Sequence, residues 1–349
     1  MRDFFITLQD DFSHVRSELP KRNKIYDQES IMKLRGIEFG NVLGASGVQG
    51  FFGEGYWFHS PWKLLGMNLK DMAFVAKTAT FHHRTGNMAL TADYRPRDFL
   101  PSCVVAKPMQ GLMLNSVGLS NPGIVELLNT FKWQSHPKPF WISLMSVADT
   151  KEARLDELKR CIIALELCKP HFKAPFGLQI NLSCPNTTHD PHKLIGETVA
   201  ILEAASKLDV PLMPKFSIAS APITAIMELD QLPFCDAICV SNTIPFGWSG
   251  INWETTWGSK VSPLIHLGGG GLSGTALSPL VCRWIKRLRD HGFTKHINGG
   301  GGILSRDDVM RYHQAGANSI FLGSVVALRP WRVRGIIKYA NELTWPSAD

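Results

Sequence analysis

Eight short apolar runs, with stretches of helical period between them, constrain this chain more than any other feature. They are Glu38–Ala45, Ala73–Lys77, Pro139–Met145, Gly177–Leu182, Pro211–Phe216, Ala237–Ser241, His296–Asn298 and Ser319–Gly323. Each is nearly continuous in its apolar character rather than alternating, the pattern of parallel strands buried on both faces. Leu155, Leu158, Ile162 and Leu165 step by three, four and three, which lays one apolar stripe along a helix after the third strand. Asp149 is the expected cap of that helix, with Glu152 three residues on. Ser305 with Asp308 reads as a similar start before the last short helix, and Pro122 suits a first helical turn. Strand and helix alternating eight times predict an α/β fold, a (β/α)8 TIM barrel; a doubly wound open sheet is the alternative that the same order permits. One such domain accommodates all 349 residues, with residues 1–35 expected as an N-terminal extension.

Composition removes several classes of function. A hydrophobic content of 44% against 19% charged residues excludes general disorder. The formal charge of +7 raises the question of nucleic acid, but Lys and Arg are scattered, and the densest run is Lys21-Arg22-Asn23-Lys24. An anionic substrate and a phosphate-bearing cofactor account for such an excess equally well. No apolar run approaches the ~20 residues of a membrane span, and charges interrupt Met1 to Lys33, so neither a span nor a signal peptide is expected. The seven cysteines include no Cys-x-x-Cys pair, which predicts reduced thiols, a cytoplasmic location and no iron–sulfur or zinc centre in the chain.

In a barrel the chemistry sits on the loops that follow the strands, at their C-terminal ends. The stretch 78–120 is far longer than an ordinary connection and marks a functional loop or an added subdomain. A second insertion, 246–268, carries Trp248, Trp253 and Trp257, either as an aromatic platform or, the simpler reading, as the packing of the loop itself. Glycines cluster at Asn298-Gly-Gly-Gly-Gly302, at Leu322-Gly323-Ser324 and at Gly268–Gly274, before a helix. Any one of these clusters is a tight turn; three after late barrel strands predict a phosphate cradle. Gln179-Ile-Asn181-Leu-Ser-Cys184-Pro-Asn186 ends the fourth strand with a thiol and carboxamides. Carboxamides hold a planar imide-like ring by donor and acceptor together, and a thiolate beside them abstracts a proton. Further carboxamides stand at Asn115, Asn121 and Asn242, with Thr243 beside the last. Lys77 and Lys215 end the second and fifth strands on the same face, where cations stabilise developing negative charge. His189, His192 and the pair His82-His83 lack a matching cluster, so no metal is expected.

Asn181-Leu-Ser-Cys-Pro-Asn186 resembles the signature of class 1 dihydroorotate dehydrogenases, in which the cysteine is the base. Met113-Leu-Asn115-Ser116-Val117-Gly118-Leu119-Ser-Asn121-Pro-Gly123 is similar to the substrate loop of that family. Ala45-Ser46-Gly47 with Gly50, Glu54 and Tyr56, then Lys77-Thr78 and Gly86-Asn87, resembles the class 1B branch in particular. The likeness runs from about Gly36 to Pro330, and it implies a soluble FMN enzyme that oxidises dihydroorotate to orotate in pyrimidine biosynthesis. By that resemblance Ser46, Lys77, Thr78, Asn181, Lys215, Val240, Gly274, Gly301, Gly302, Gly323 and Ser324 hold FMN. Lys77, Asn115, Ser116, Val117, Gly118, Leu119, Asn181, Asn186, Asn242 and Thr243 hold dihydroorotate. Cys184 removes the C5 proton while hydride passes from C6 to the flavin. A homodimer and an FAD and iron–sulfur partner subunit are the implied assemblies. Two departures from the pattern are Ser143, where the class 1B branch has asparagine, and Pro214 inside the fifth strand. The alternatives are an FMN barrel acting on uracil or thymine, like that of dihydropyrimidine dehydrogenases, and a non-catalytic FMN-binding subunit. The former lacks the loop from Asn115 to Asn121, which favours the orotate reading.

Overall fold

The computed structural model describes residues 31–182 and 191–348, with the side chains of residues 191–195 left aside. A two-residue ribbon, β1 (Lys33–Leu34) and β2 (Ile37–Glu38), precedes the first barrel strand, β3 (Val42–Gly44). The other barrel strands are β6 (Phe140–Leu144), β7 (Phe176–Asn181), β8 (Leu212–Phe216), β9 (Ala237–Val240), β12 (His296–Gly300) and β13 (Ser319–Leu322). They form one parallel sheet in the order β3-β13-β12-β9-β8-β7-β6. Residues 73–79 close it. Leu43 bridges Ala73 on one side, and Val75 and Ala79 bridge Trp141 and Leu144 on the other, all parallel. Gly44 N donates to Ala73 O at 2.9 Å and Trp141 N to Phe74 O at 2.9 Å, so the segment is bonded to both edges. The expected second strand is therefore present as bridges rather than as a continuous ladder. The expected first strand is split, because residues 37–38 pair in the ribbon and only Val42–Gly44 joins the barrel.

Helices cover the outside, beginning with α1 (His59–Leu64) after β3 and α2 (Ile124–Asn129) at the end of the long second connection. There follow α3 (Lys151–Cys168), α4 (Pro191–Ser206) and α5 (Ile223–Met227), each returning the chain to the next strand. A short α6 (Trp253–Trp257) lies in the insertion after β9, ahead of α7 (Ser278–Asp290). The last three are α8 (Arg306–Gln314), α9 (Ser324–Leu328) and α10 (Val333–Asn341). The predicted stripe on α3 is buried at Leu158, Cys161, Ile162 and Leu165. Its cap is Thr150, not Asp149: the Thr150 hydroxyl accepts from Ala153 N at 3.2 Å. Ser305 caps α8 as expected, accepting from Asp308 N at 3.2 Å. Pro122 lies before its helix, because Gly123, at φ +93°, is the residue that turns the chain into α2. Pro214 is accommodated in β8 opposite Ile180 of β7.

The two insertions meet. β4 (Val104–Lys107) and β5 (Leu112–Asn115) from the first pair with β10 (Ile244–Pro245) and β11 (Gly271–Gly274) from the second. The result is a four-stranded antiparallel sheet, β10-β11-β5-β4, built on segments that leave the C-terminal ends of residues 73–79 and β9. The tryptophans serve packing: Trp253 and Trp257 are buried, Trp253 lies 4.1 Å from the ring of Phe246, and the Lys107 amine bonds the Trp257 carbonyl. Gly268, Gly269 and Gly270 turn the chain into β11, and the cluster that ends at Gly274 precedes a helix, α7, as expected.

The barrel interior is filled at its N-terminal end. Met32, Leu34, Phe39, Leu43, Val75, Trp141, Met213, Ala237, Cys239 and Phe321 form one buried cluster, separate from the core between strands and helices. Met32 and Leu34 thus belong to the floor of the barrel. Trp141 lies flat over Gly177, and a Cβ at residue 177 would sit 2.5 Å from its ring. Overpacking of a buried site costs about 1–3 kcal/mol. Gly177→Ala is therefore expected to lower the unfolding free energy by that amount, read as a lower urea midpoint with an unchanged denaturant slope. A wild-type midpoint would show that the ring has room to move.

Candidate active site

Side chains two residues apart on a strand share a face, so the layer above the apolar floor can be read directly from the sequence of each strand. Above Val75 comes Lys77, above Trp141 Ser143, above Met213 Lys215, and above Gln179 Asn181. On the remaining strands the same step leads from Leu43 to Ala45, from Cys239 to Ser241, from Asn298 to Gly300 and from Phe321 to Gly323. Cations, a hydroxyl and a carboxamide thus line one half of the layer, and residues with little or no side chain line the other. A flat group can rest on the bare half while the polar half meets its edge.

On the polar half the hydrogen bonds have a fixed sense. Ser46 Oγ donates to Ala76 O at 2.9 Å and lies 2.8 Å from Thr78 Oγ1, which lies 3.0 Å from Ser143 Oγ. With the Ser46 proton committed to the carbonyl, Thr78 must donate to Ser46 and Ser143 to Thr78. Ser143 Oγ therefore ends the chain with its lone pairs free to accept. Gln179, its cross-strand partner, is buried with Oε1 lacking a hydrogen-bond partner among the described residues. Asn242 Nδ2 donates to Asn181 Oδ1 at 3.1 Å, and Asn242 Oδ1 accepts from Thr243 N at 3.0 Å. These bonds bring together three of the expected residues.

Lys215 is buried beside the Phe321 ring, with Nζ 5.4 Å from its centroid. No hydrogen bond or ion pair among the described residues satisfies that amine, and burial pulls its pKa down, opposed by Cys239. An unpaired buried cation is costly unless an anionic or polar group meets it. Lys77 is tied differently: its amine bonds the Ser120 carbonyl and stands 4.8 Å from the Phe51 ring centroid. Burial pulls it down to about 8, against the opposing influence of Cys103.

The loop from Asn115 to Leu119 is held from outside by Asn87, whose Nδ2 donates to Ser116 O at 2.7 Å and whose backbone N donates to Val117 O at 2.8 Å. Ser116 Oγ donates to Leu267 O at 2.6 Å, so the second insertion anchors the first. Gly118 and Leu119 both take positive φ, +70° and +60°. Asn121 is no part of a binding surface: Oδ1 accepts from Thr80 N and Gly123 N, while Nδ2 donates to Thr80 Oγ1 and Leu119 O. All four of its bonds serve the loop.

Among the glycines, Gly274 and Gly302 are in contact, since a Cβ on Gly302 would lie 2.2 Å from Gly274 O. Gly301 has φ +121°. Gly323 passes close to Ala45, and Ser324 opens α9. The Val240 side chain faces the outer core, which leaves its backbone to the site. Cys184 and Asn186 lie outside the described residues. Of the residues at these levels, Ser143 entered the sequence reading only as a departure and Gly300 only within its glycine cluster; the two-residue step above Trp141 and Asn298 is the signal that places both.

A family model described as dihydroorotate dehydrogenase matches residues 31–343. The chain belongs to the dihydroorotate dehydrogenase family. Members of this family are flavin-dependent oxidoreductases. Among curated relatives it is similar to the dihydroorotate dehydrogenase B (NAD(+)) catalytic subunit of Listeria welshimeri, 29% identical over 306 residues, covering 84% of this chain and 86% of the relative. The proteins of the same description from Latilactobacillus sakei and Anoxybacillus flavithermus are 29% and 28% identical. They are covered over 90% and 88% of their lengths, and each match takes in 88% of this chain.

Lys77 provides a test of the site's electrostatics. Its pKa falls from 10.5 unfolded to about 8 folded, so between those values the unfolded state holds the extra proton. Stability must then rise with pH across that window. Relative to Lys77→Met, the wild-type protein without added ligand is expected to gain on the order of 1–3 kcal/mol between pH 8 and 10.5. Parallel urea-stability profiles of the two proteins would contradict that.

Proposed function

We propose that the chain oxidises dihydroorotate to orotate, with FMN as its cofactor, in pyrimidine biosynthesis. The observation that carries this reading is the layer above the barrel floor, where a Lys215 amine without a partner among the described residues and the free lone pairs of Ser143 share a level with Ala45, Gly300 and Gly323, above a Gln179 Oε1 that also lacks a partner among the described residues. A flat ring with an anionic edge and N–H donors fits those groups. Ser46, Lys77, Thr78, Asn181, Lys215 and Val240 would hold the ring, and Gly274, Gly301, Gly302, Gly323 and Ser324 its phosphate arm. FMN bound there supplies the acceptor for the two electrons that leave the substrate.

The chain itself does the rest. Asn115 to Leu119, with Asn181, Asn186, Asn242 and Thr243, would position dihydroorotate by its imide edges, and Lys77 would neutralise its carboxylate. The Asn242–Asn181 bond presets two of these carboxamides, so less ordering remains to be done on binding. Cys184 would take the proton from C5. The catalytic-subunit relatives support a partner that carries electrons onward to NAD, for which FAD and iron–sulfur chemistry is suited. We further propose a homodimeric, cytoplasmic protein that forms one barrel domain. Among the described residues no helix is long and apolar enough to cross a membrane.

Purified protein is expected to release FMN on denaturation, close to one per chain; recovery of FAD, or of no flavin, would refute the cofactor. Anaerobic dihydroorotate should bleach the bound flavin, and dihydrouracil should not; bleaching by dihydrouracil alone would transfer the assignment to pyrimidine-base chemistry. Cys184→Ala should keep flavin and substrate binding yet slow flavin reduction ~10²–10⁴-fold near neutral pH, the usual worth of a general base. Stopped-flow reduction at the wild-type rate would show that the cysteine is not the base.

A further inference from the structure

The barrel interior contains a polar row that descends from the site to the floor. Asn181, Lys215, Cys239, Asn298 and Ser319 are successive cross-strand partners on β7, β8, β9, β12 and β13. Strand tilt makes such a row run downward, so Asn181 and Lys215 stand near the C-terminal ends of their strands while Ser319 begins β13. A TIM-barrel interior is ordinarily filled by bulky branched residues, which makes buried polar groups here costly unless they are joined.

They are joined in a definite sense. Asn298 Nδ2 donates to Ser319 Oγ at 2.8 Å, and His296 Nε2 lies 2.8 Å from the same hydroxyl. The remaining end of the amide, Asn298 Oδ1, accepts from Cys239 Sγ at 3.6 Å. With its proton turned toward Asn298, the sulfur presents its lone pairs to the other side. The cross-strand neighbour is Lys215, whose amine has no hydrogen bond or ion pair among the described residues, so the sulfur acts on it through space as an oriented dipole and not as a hydrogen-bond acceptor. Burial holds the Cys239 thiol up at about 12 and His296 down at about 3, so both are neutral at physiological pH, and the row acts through dipoles rather than net charge.

We propose that Cys239 is a positioning residue: oriented by Asn298, Ser319 and His296, its sulfur steadies the Lys215 ammonium beneath the cofactor and so sets the cofactor's reduction potential. The inference rests on the reading of Lys215 as the cation that meets the flavin. Phe321 gives the amine an electron-rich face 5.4 Å away. Without the sulfur dipole the amine has only that ring against a desolvation that already favours its neutral form, and a reduced flavin would lose part of its counter-charge.

The test is an equilibrium reduction titration of the flavin-loaded protein against a reference dye, on wild type, Cys239→Val, Cys239→Ser and Lys215→Met. Valine keeps the volume and removes the dipole. The equilibrium constant for reduction is expected to fall about tenfold, a potential lower by ~30 mV for a two-electron couple, at unchanged flavin content. Serine, which can donate to Asn298 and present lone pairs, should recover most of the shift, whereas a purely packing role would leave serine no better than valine. An unchanged potential in Cys239→Val, or equal shifts for serine and valine, overturns the proposal. If Lys215→Met lowers the potential while Cys239→Val does not, the reading of Lys215 stands and only the role of Cys239 fails. If Lys215→Met leaves the potential untouched, both fail. Should Cys239→Val not fold, Ser319→Ala unfastens Asn298 from below and is expected to shift the potential in the same direction by a smaller factor; no shift there also overturns it.

Discussion

Trp141 lies across the barrel where residue 177 has no side chain, and with Phe39 against it at 4.4 Å it fills the ring at that level. Below it Met32 and Leu34 are buried in the same cluster and make the floor apolar. An apolar floor is what makes the next layer chemically effective, because charges and dipoles interact more strongly where water is excluded. Lys215 and Ser143 stand one step above Met213 and Trp141, and the lowered amine pKa of Lys215 is the direct result of that burial.

The same tight filling dictates where flat molecules can lie. Strands β3, β12 and β13 carry Ala45, Gly300 and Gly323 at the upper level, so nothing projects from that side. On the opposite side the Ser46–Thr78–Ser143 chain consumes every hydroxyl proton in one direction and leaves acceptors at its end. Shape thus comes from glycine and alanine, and orientation from the ordered protons.

Above this layer the two insertions stabilise each other. Neither two-strand piece has a second neighbour alone, and isolated hairpins are marginal in water. Pairing of β11 with β5 joins them and brings the loop that starts at Asn115 under the control of Leu267, more than a hundred residues further along. Asn121 spends all of its bonds on the shape of that loop, so it supports the residues that face the site without facing it.

Much of this was written locally. Continuous apolar runs fix the barrel strands, because a strand buried on both faces tolerates little else, and the stripe on α3 follows from 3.6-residue periodicity. The Lys77 and Lys215 positions, the carboxamides and the glycine clusters were legible as residue types at strand ends. Cap identity was not: Thr150 and Asp149 are both good caps, and only the backbone angle at residue 150 selects between them. Ala73–Lys77 was legible as a strand, yet whether the segment closed a ring depended on two neighbours remote in sequence, Val42–Gly44 and Phe140–Leu144. Register is a property of pairs of strands, and so the row from Asn181 to Ser319, the sense of the Ser46–Thr78–Ser143 chain and the shared sheet of the two insertions exist only once the barrel is closed. Sequence determined which residues were available; tertiary structure decided which of them face one another, because parallel strands meet only after long crossovers have brought them together.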